Sequence, residues 1–109
     1  MSTDPKTIAF IIDQAGGSVS SKPMFGEYGL YRDGRMVAMV CDDNLFIKPT
    51  SAGRALAVGA DEAPPYPGAK PCLLIAADRW RDADWLTELF RISASELPPP
   101  KAKRAPKRG

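Results

Sequence analysis

The 109-residue sequence contains no histidine. That absence removes the commonest general base and the commonest zinc ligand, and with them Ser-His-Asp and Cys-His hydrolysis and every histidine-containing zinc site. Cysteine is scarce: Cys41 and Cys72 are the only two, too few for a four-cysteine metal site and too far apart for a C-x-x-C redox pair. Both fall inside strand-like runs, where cysteine acts as a small buried hydrophobe. No apolar run approaches the ~20 residues of a membrane-spanning helix. The start, Met1-Ser2-Thr3-Asp4-Pro5-Lys6, has no basic stretch leading into an apolar one, so no secretory leader is expected and the reading is a cytoplasmic protein. Phosphate cradles are missing too. No Gly-x-Gly-x-x-Gly links a strand to a helix, and no P-loop pattern precedes Lys22, Lys48 or Lys70. Asp42 and Asp43 lack the spacing of a calcium loop and read as turn residues. The expectation is a non-enzymatic protein with no catalytic residue, no metal site and no cofactor.

What remains is ordinary globular material. The hydrophobic fraction is 44% and the charged fraction 26%, and a chain of this length buries roughly 60 to 70% of its unfolded surface as one domain. Charge is unevenly spread. Residues 98–109 hold Lys101, Lys103, Arg104, Lys107 and Arg108 without an acid, and removing those five leaves 10 basic against 13 acidic residues, a body at −3. The sequence thus divides into a domain over 1–97 and a proline-rich basic tail over 98–109. The tail has no large apolar residue and is expected to be disordered.

Thr3 or Asp4 can cap a helix over Pro5 to Ala15, whose Ile8, Ile11, Ile12 and Ala15 share one face before Gly16-Gly17. Strand character begins near Val19 and reads as one irregular strand through Tyr31, interrupted by Pro23, Gly26 and Gly29. Asp33-Gly34 is a hairpin signal. Met36 to Cys41 is apolar on both faces and predicts the middle of the sheet; Asp42-Asp43-Asn44 turns the chain into a strand over Leu45 to Lys48. Thr50 or Ser51 caps a short helix with Ala52, Ala55 and Leu56 inward and Gly59 at its end. Asp61 to Pro71 is loop-like, with an optional edge strand at Pro65-Tyr66, and Pro71 to Ala77 is a buried strand. Asp82 caps a last helix with Trp85, Leu86, Leu89, Phe90 and Ile92 as its apolar stripe. Trp85 is expected in the core, and Trp80, flanked by Arg79 and Arg81, partly exposed as a partner anchor. This order argues for an α+β domain of two layers with an antiparallel sheet.

Met24-Phe25-Gly26, Tyr28-Gly29-Leu30-Tyr31 before Asp33-Gly34, Asp43 before Leu45, Lys48 after Ile47, and Tyr66-Pro67-Gly68-Ala69-Lys70-Pro71 together resemble the N-terminal domain of the TfoX/Sxy family. The resemblance spans about Ile8 to Ile92. It implies a secretion-chaperone-like α-β(3)-α-β(2)-α topology, as in bacterial regulators of natural competence, and a regulatory domain that associates with a protein partner or with itself. Glu27 stands where the family pattern often has a second glycine.

Candidate binding residues are Met24, Phe25, Gly26, Tyr28, Tyr31, Tyr66, Pro67, Gly68 and Lys70, as the walls of a protein or small-ligand groove. Base stacking by the strand aromatics is disfavoured because Glu27, Asp33, Asp42 and Asp43 repel phosphate. An alternative function is non-specific nucleic-acid binding through Lys101, Lys103, Arg104, Lys107 and Arg108. Five phosphate contacts give a log-log salt slope near about −4.5. A third reading is an unfamiliar enzyme site built from Glu27, Lys48, Tyr66 and Lys70.

Overall fold

The computed structural model of the protein describes residues 3–16, 18–24 and 27–97. Phe25, Gly26, Gly17 and the basic tail lie outside the described residues. Helix α1 (Pro5–Gln14) starts where cap chemistry dictates, with the Asp4 carboxylate accepting from the Lys6 N–H and proline at the first helical position. Past its end Gly16 adopts φ +97°, a conformation that glycine alone takes cheaply. Thr3 is not the cap; it is buried, and its hydroxyl donates to Glu27 Oε1.

Six strands follow: β1 (Val19–Met24), β2 (Glu27–Arg32), β3 (Arg35–Cys41), β4 (Asn44–Ile47), then, after helix α2 (Ser51–Leu56), β5 (Asp61–Ala63) and β6 (Cys72–Ile75). A 3₁₀ turn (Ala77–Arg81) leads into helix α3 (Ala83–Glu96), capped by Asp82. All strands join one antiparallel sheet in the order β1-β2-β3-β4-β6-β5, which places β3 and β4 in the middle. The fold is α+β in two layers, as the apolar patterning predicts. The region read as one irregular strand is two. β1 pairs with β2 from Val19↔Arg32 to Met24↔Glu27, so the chain reverses beside Met24, and Pro23 sits on the edge where a missing N–H is tolerated. The short edge strand also lies elsewhere than expected, at Asp61–Ala63 instead of Pro65-Tyr66, since Pro65 has no N–H to give to a ladder.

Two tight turns set the register of the central hairpins. Asp33 (φ 55°) with Gly34 (φ 78°), and Asp42 (φ 53°) with Asp43 (φ 62°), take the left-handed conformations of type I′ turns. Between β2 and β3 the register shifts after Leu30↔Ala38 to Tyr31↔Met36, leaving Val37 as the extra residue of a bulge. Val37 and Ala38 therefore both enter the main core, while Met36 and Met39 join the cluster on the other face.

The main core lies between that inner face and the helices: Ile8, Ile11, Leu30, Val40, Leu45, Ile47, Leu73, Ile75, Leu86, Leu89 and Phe90 are all buried in it. On α2 the inward residue is Gly53; Ala55, expected inside, is exposed. The two tryptophans also exchange places. Trp80 is buried with its indole N–H donating to Ile75 O at 3.0 Å, whereas Trp85 is half-buried with Arg79 stacked 3.9 Å above its ring. A 3₁₀ turn rotates Trp80 inward at a place where helical spacing gave no guide.

Candidate functional site

The opposite face of the sheet carries a second apolar cluster of Met39, Cys41, Phe46 and Cys72, with Met24, Met36, Ala63 and Leu74 packed against it. No helix residue belongs to this cluster among the described residues. Gly29 lies beneath it: a Cβ there would stand 2.9 Å from Met36 Sδ, 3.0 Å from Met24 Sδ and 3.3 Å from the Tyr31 ring. The glycine thus lets two thioethers and an aromatic edge converge on the strand backbone. This explains a glycine inside a strand that gains nothing from its flexibility.

The segment between β5 and β6 shelters this face. Pro65 is buried, while Tyr66 remains 52% exposed. Two cavities lie along it. One, of about 440 Å³, is walled by Glu27, Tyr28, Cys41, Asp42, Pro65 and Pro67; the other, of about 420 Å³, by Met36, Lys48, Ala69, Lys70, Cys72 and Leu97. Met24, Met39 and Tyr66 line both, so the cavities form one groove with an apolar middle. The groove is polarised, with carboxylates at the Glu27 and Asp42 end and ammonium groups at the Lys48 and Lys70 end. Glu27 Oε1 is held by the Thr3 hydroxyl at 2.5 Å and the Asp42 N–H at 3.1 Å, and Asp43 Oδ1 accepts from the Asp4 N–H and the Thr7 hydroxyl. The start of the chain is thereby tied to the acidic end.

Of the residues singled out from the sequence, Met24, Tyr66, Pro67 and Lys70 line this groove; Tyr28 borders the Glu27 cavity but packs its side chain against the main core on the other face. Tyr31 stands at its margin beside Gly29, with Lys22 Nζ 5.5 Å from its ring. Gly68 does not line it; it is exposed in a turn at φ +88°. Phe25, Gly26 and the cations Lys101, Lys103, Arg104, Lys107 and Arg108 lie outside the described residues. The third reading's groups are split: Glu27 lines one cavity, Lys48 and Lys70 the other, and Tyr66 both. Met36, Met39, Cys41, Asp42 and Leu97 are further walls that were not singled out as binding residues. The apolar run from Met36 to Cys41 was the available signal.

Burial is the largest influence pushing both thiols above the ordinary range, with Glu27 adding to it at Cys41 and Lys48 opposing it at Cys72. A thiol whose folded pKa is raised favours the folded state at pH values below the unfolded pKa, and that advantage falls away as pH rises through the thiol range. Thiol titration with an aromatic disulfide is accordingly expected to be slow in the native protein and fast in urea at the same alkaline pH. Equal rates would contradict the burial of Cys41 and Cys72.

Among the described residues no three His, Cys, Asp or Glu side chains gather as a metal-holding group, and no helix is long and apolar enough to cross a membrane. A family model described as the TfoX N-terminal domain matches residues 12–97. The chain belongs to the TfoX N-terminal domain family. It is also 40% identical over 107 residues to an uncharacterized 12.7 kDa protein from the trpE 5′ region of Spirochaeta aurantia, spanning 96% of this chain and 92% of that relative. The TfoX-type match takes in all six strands and every groove residue named above.

Proposed function

We propose that this TfoX N-terminal-type domain works without catalysis, as a regulatory module that holds an extended stretch of a partner protein in the groove on the sheet face opposite α1 and α3. The observation that carries the reading is the combination of thioether floor and exposed Tyr66 rim. Methionine side chains repack around varied apolar ligands, and tyrosine supplies contact area at low entropic cost. A regulatory role, in transcription or natural competence, is what family membership suggests. The groove's polarity selects a segment with an apolar middle and a cation at the Glu27 and Asp42 end.

Selection from a displayed peptide library, followed by anisotropy titration, tests this reading. Enriched peptides should share that pattern, and Tyr66→Ala should weaken them about tenfold, the ~1.4 kcal/mol of a modest aromatic hot spot. Failure of the library to enrich anything over the Tyr66→Ala protein would remove the proposal.

A further inference from the structure

We propose that the thioethers of Met24, Met36 and Met39 form a binding site for a soft monovalent cation, copper(I), on the floor of the groove. The inference goes beyond peptide docking and does not rest on it. Methionine is sorted in this chain. Apart from Met1, every methionine stands on the sheet face opposite α1 and α3, while the main core contains none among the described residues. Apolar packing gives no reason for that sorting, since methionine fills core space nearly as well as leucine. The strand register then explains how the sulfurs meet. Gly29 pairs with Met39, and Tyr31 with Met36. Cross-strand partners set their side chains on one face about 5 Å apart, so Met36 and Met39 flank the bare backbone of Gly29 from β3. Met24 reaches it from β1. With no Cβ at Gly29, Met36 Sδ and Met24 Sδ come within 2.9 and 3.0 Å of a single point, which puts the two sulfurs at most 5.9 Å apart. An unbranched thioether closes such a gap by a rotamer change.

Donor chemistry selects the ion. Thioether sulfur is neutral and polarisable, and soft ligands of this kind take copper(I), whereas magnesium, calcium and manganese require carboxylate or carbonyl oxygen. The carboxylate at this end of the groove is already engaged: Glu27 Oε1 accepts from the Thr3 hydroxyl and the Asp42 N–H. Charge points the same way. Lys22 Nζ lies 5.5 Å from the Tyr31 ring centroid, and Lys48 walls the second cavity. Those ammonium groups repel a divalent ion about twice as strongly as a monovalent one. Access is open, because Met24 and Met39 border both cavities and half-buried Met36 borders the second.

The experiment titrates the full chain, anaerobically and with both thiols reduced, with copper(I) delivered as its bicinchoninate complex, and in parallel with silver(I), a redox-inert mimic. One equivalent of copper should leave the chelator. The methyl signals of Met24, Met36 and Met39, assigned by single Met→Leu replacements, should shift together and saturate at that ratio with both ions, while the Met1 methyl stays unmoved. Met24→Leu combined with Met36→Leu conserves volume, and it should weaken binding by more than about a hundredfold, the most that loss of an outer-shell partner costs a metal site. If that pair fails to fold, Met36→Leu alone, at a half-buried position, should still weaken binding about tenfold or more. Cys41→Ser with Cys72→Ser should leave binding in place, which separates thioether ligation from capture by the buried thiols. The proposal is overturned if no copper leaves the chelator, if the shifts are confined to Met1, if the leucine variants bind as the native chain does, or if the serine variant loses the ion. Peptide selection is carried out in metal-free buffer, so failure of the metal site leaves the docking reading standing, and failure of selection leaves the metal site standing.

Discussion

Trp80→Ala is expected to lower the free energy of unfolding by about 3–5 kcal/mol, the range for deleting a large buried aromatic, whereas Trp85→Ala costs clearly less. Trp80 is 8% exposed and belongs to the main core. Its removal also leaves the Ile75 carbonyl without the indole donor at 3.0 Å, and it loosens the turn whose Trp80 carbonyl accepts from Gln14 Nε2 at 2.9 Å. That carbonyl ties the 3₁₀ turn to α1. Trp85 covers the outside of the same region; its indole N–H reaches Leu56 O at a long 3.4 Å, and its ring is stacked under the guanidinium of half-buried Arg79. Such a stack contributes about 0.5–2 kcal/mol, rising with burial. Urea unfolding of both variants measures the contrast through the midpoint, with the slope expected to stay constant. Equal costs at the two positions would contradict the assignment of Trp80 to the core.

Gly53→Val is expected to destabilise the protein by about 1–3 kcal/mol through overpacking, with up to about 1 kcal/mol more from a damaged helix cap. The reason is space. A Cβ at this position would lie 2.8 Å from Thr50 Oγ1 and 2.9 Å from Ser93 Oγ, both on buried residues. Thr50 is the α2 cap, accepting from the Gly53 N–H at 2.9 Å, so pushing its hydroxyl aside removes the bond that starts the helix. Ser93 Oγ, on α3, is buried without a hydrogen-bond partner, so a larger side chain at position 53 presses on a close-packed contact between α2 and α3. Gly59 is the control. A Cβ there meets nothing within 4 Å, and its φ of +88° leaves only backbone strain as a cost, roughly 1–2 kcal/mol. Thermal and urea unfolding of Gly53→Val, Gly53→Ala and Gly59→Ala separate the two causes: Gly53→Val should be worse than Gly53→Ala, and their equality would argue against steric contact between α2 and α3.

The helices and the central hairpins were legible in the sequence because their determinants are local. Asp4, Thr50 and Asp82 cap within three residues of their partners, and the two type I′ turns need only residues that tolerate positive φ. The reversal after Met24 was not legible, because no Asn-Gly or Asp-Gly pair marks it and Pro23 and Gly26 read equally as irregularities within one strand. Edge placement at Asp61–Ala63 depends on which backbone groups reach β6, a tertiary fact. The groove was half legible. Met24, Tyr66, Pro67 and Lys70 carried the right signal through the family resemblance, but the floor depends on a bulge at Val37 that sends Met36 and Met39 to the same side. A one-residue change of register is invisible to strict alternation, and it decides which methionines meet the ligand.

The most direct test of the groove as the working surface is a methyl-detected titration of the full chain with a library-selected peptide. The account predicts saturable shifts of the Met24, Met36 and Met39 methyls together with the Tyr66 ring, and none on the helix-covered face at Ile11, Leu86 or Leu89. Shifts confined to the helical side, or binding that leaves all three methionines unmoved, would contradict it.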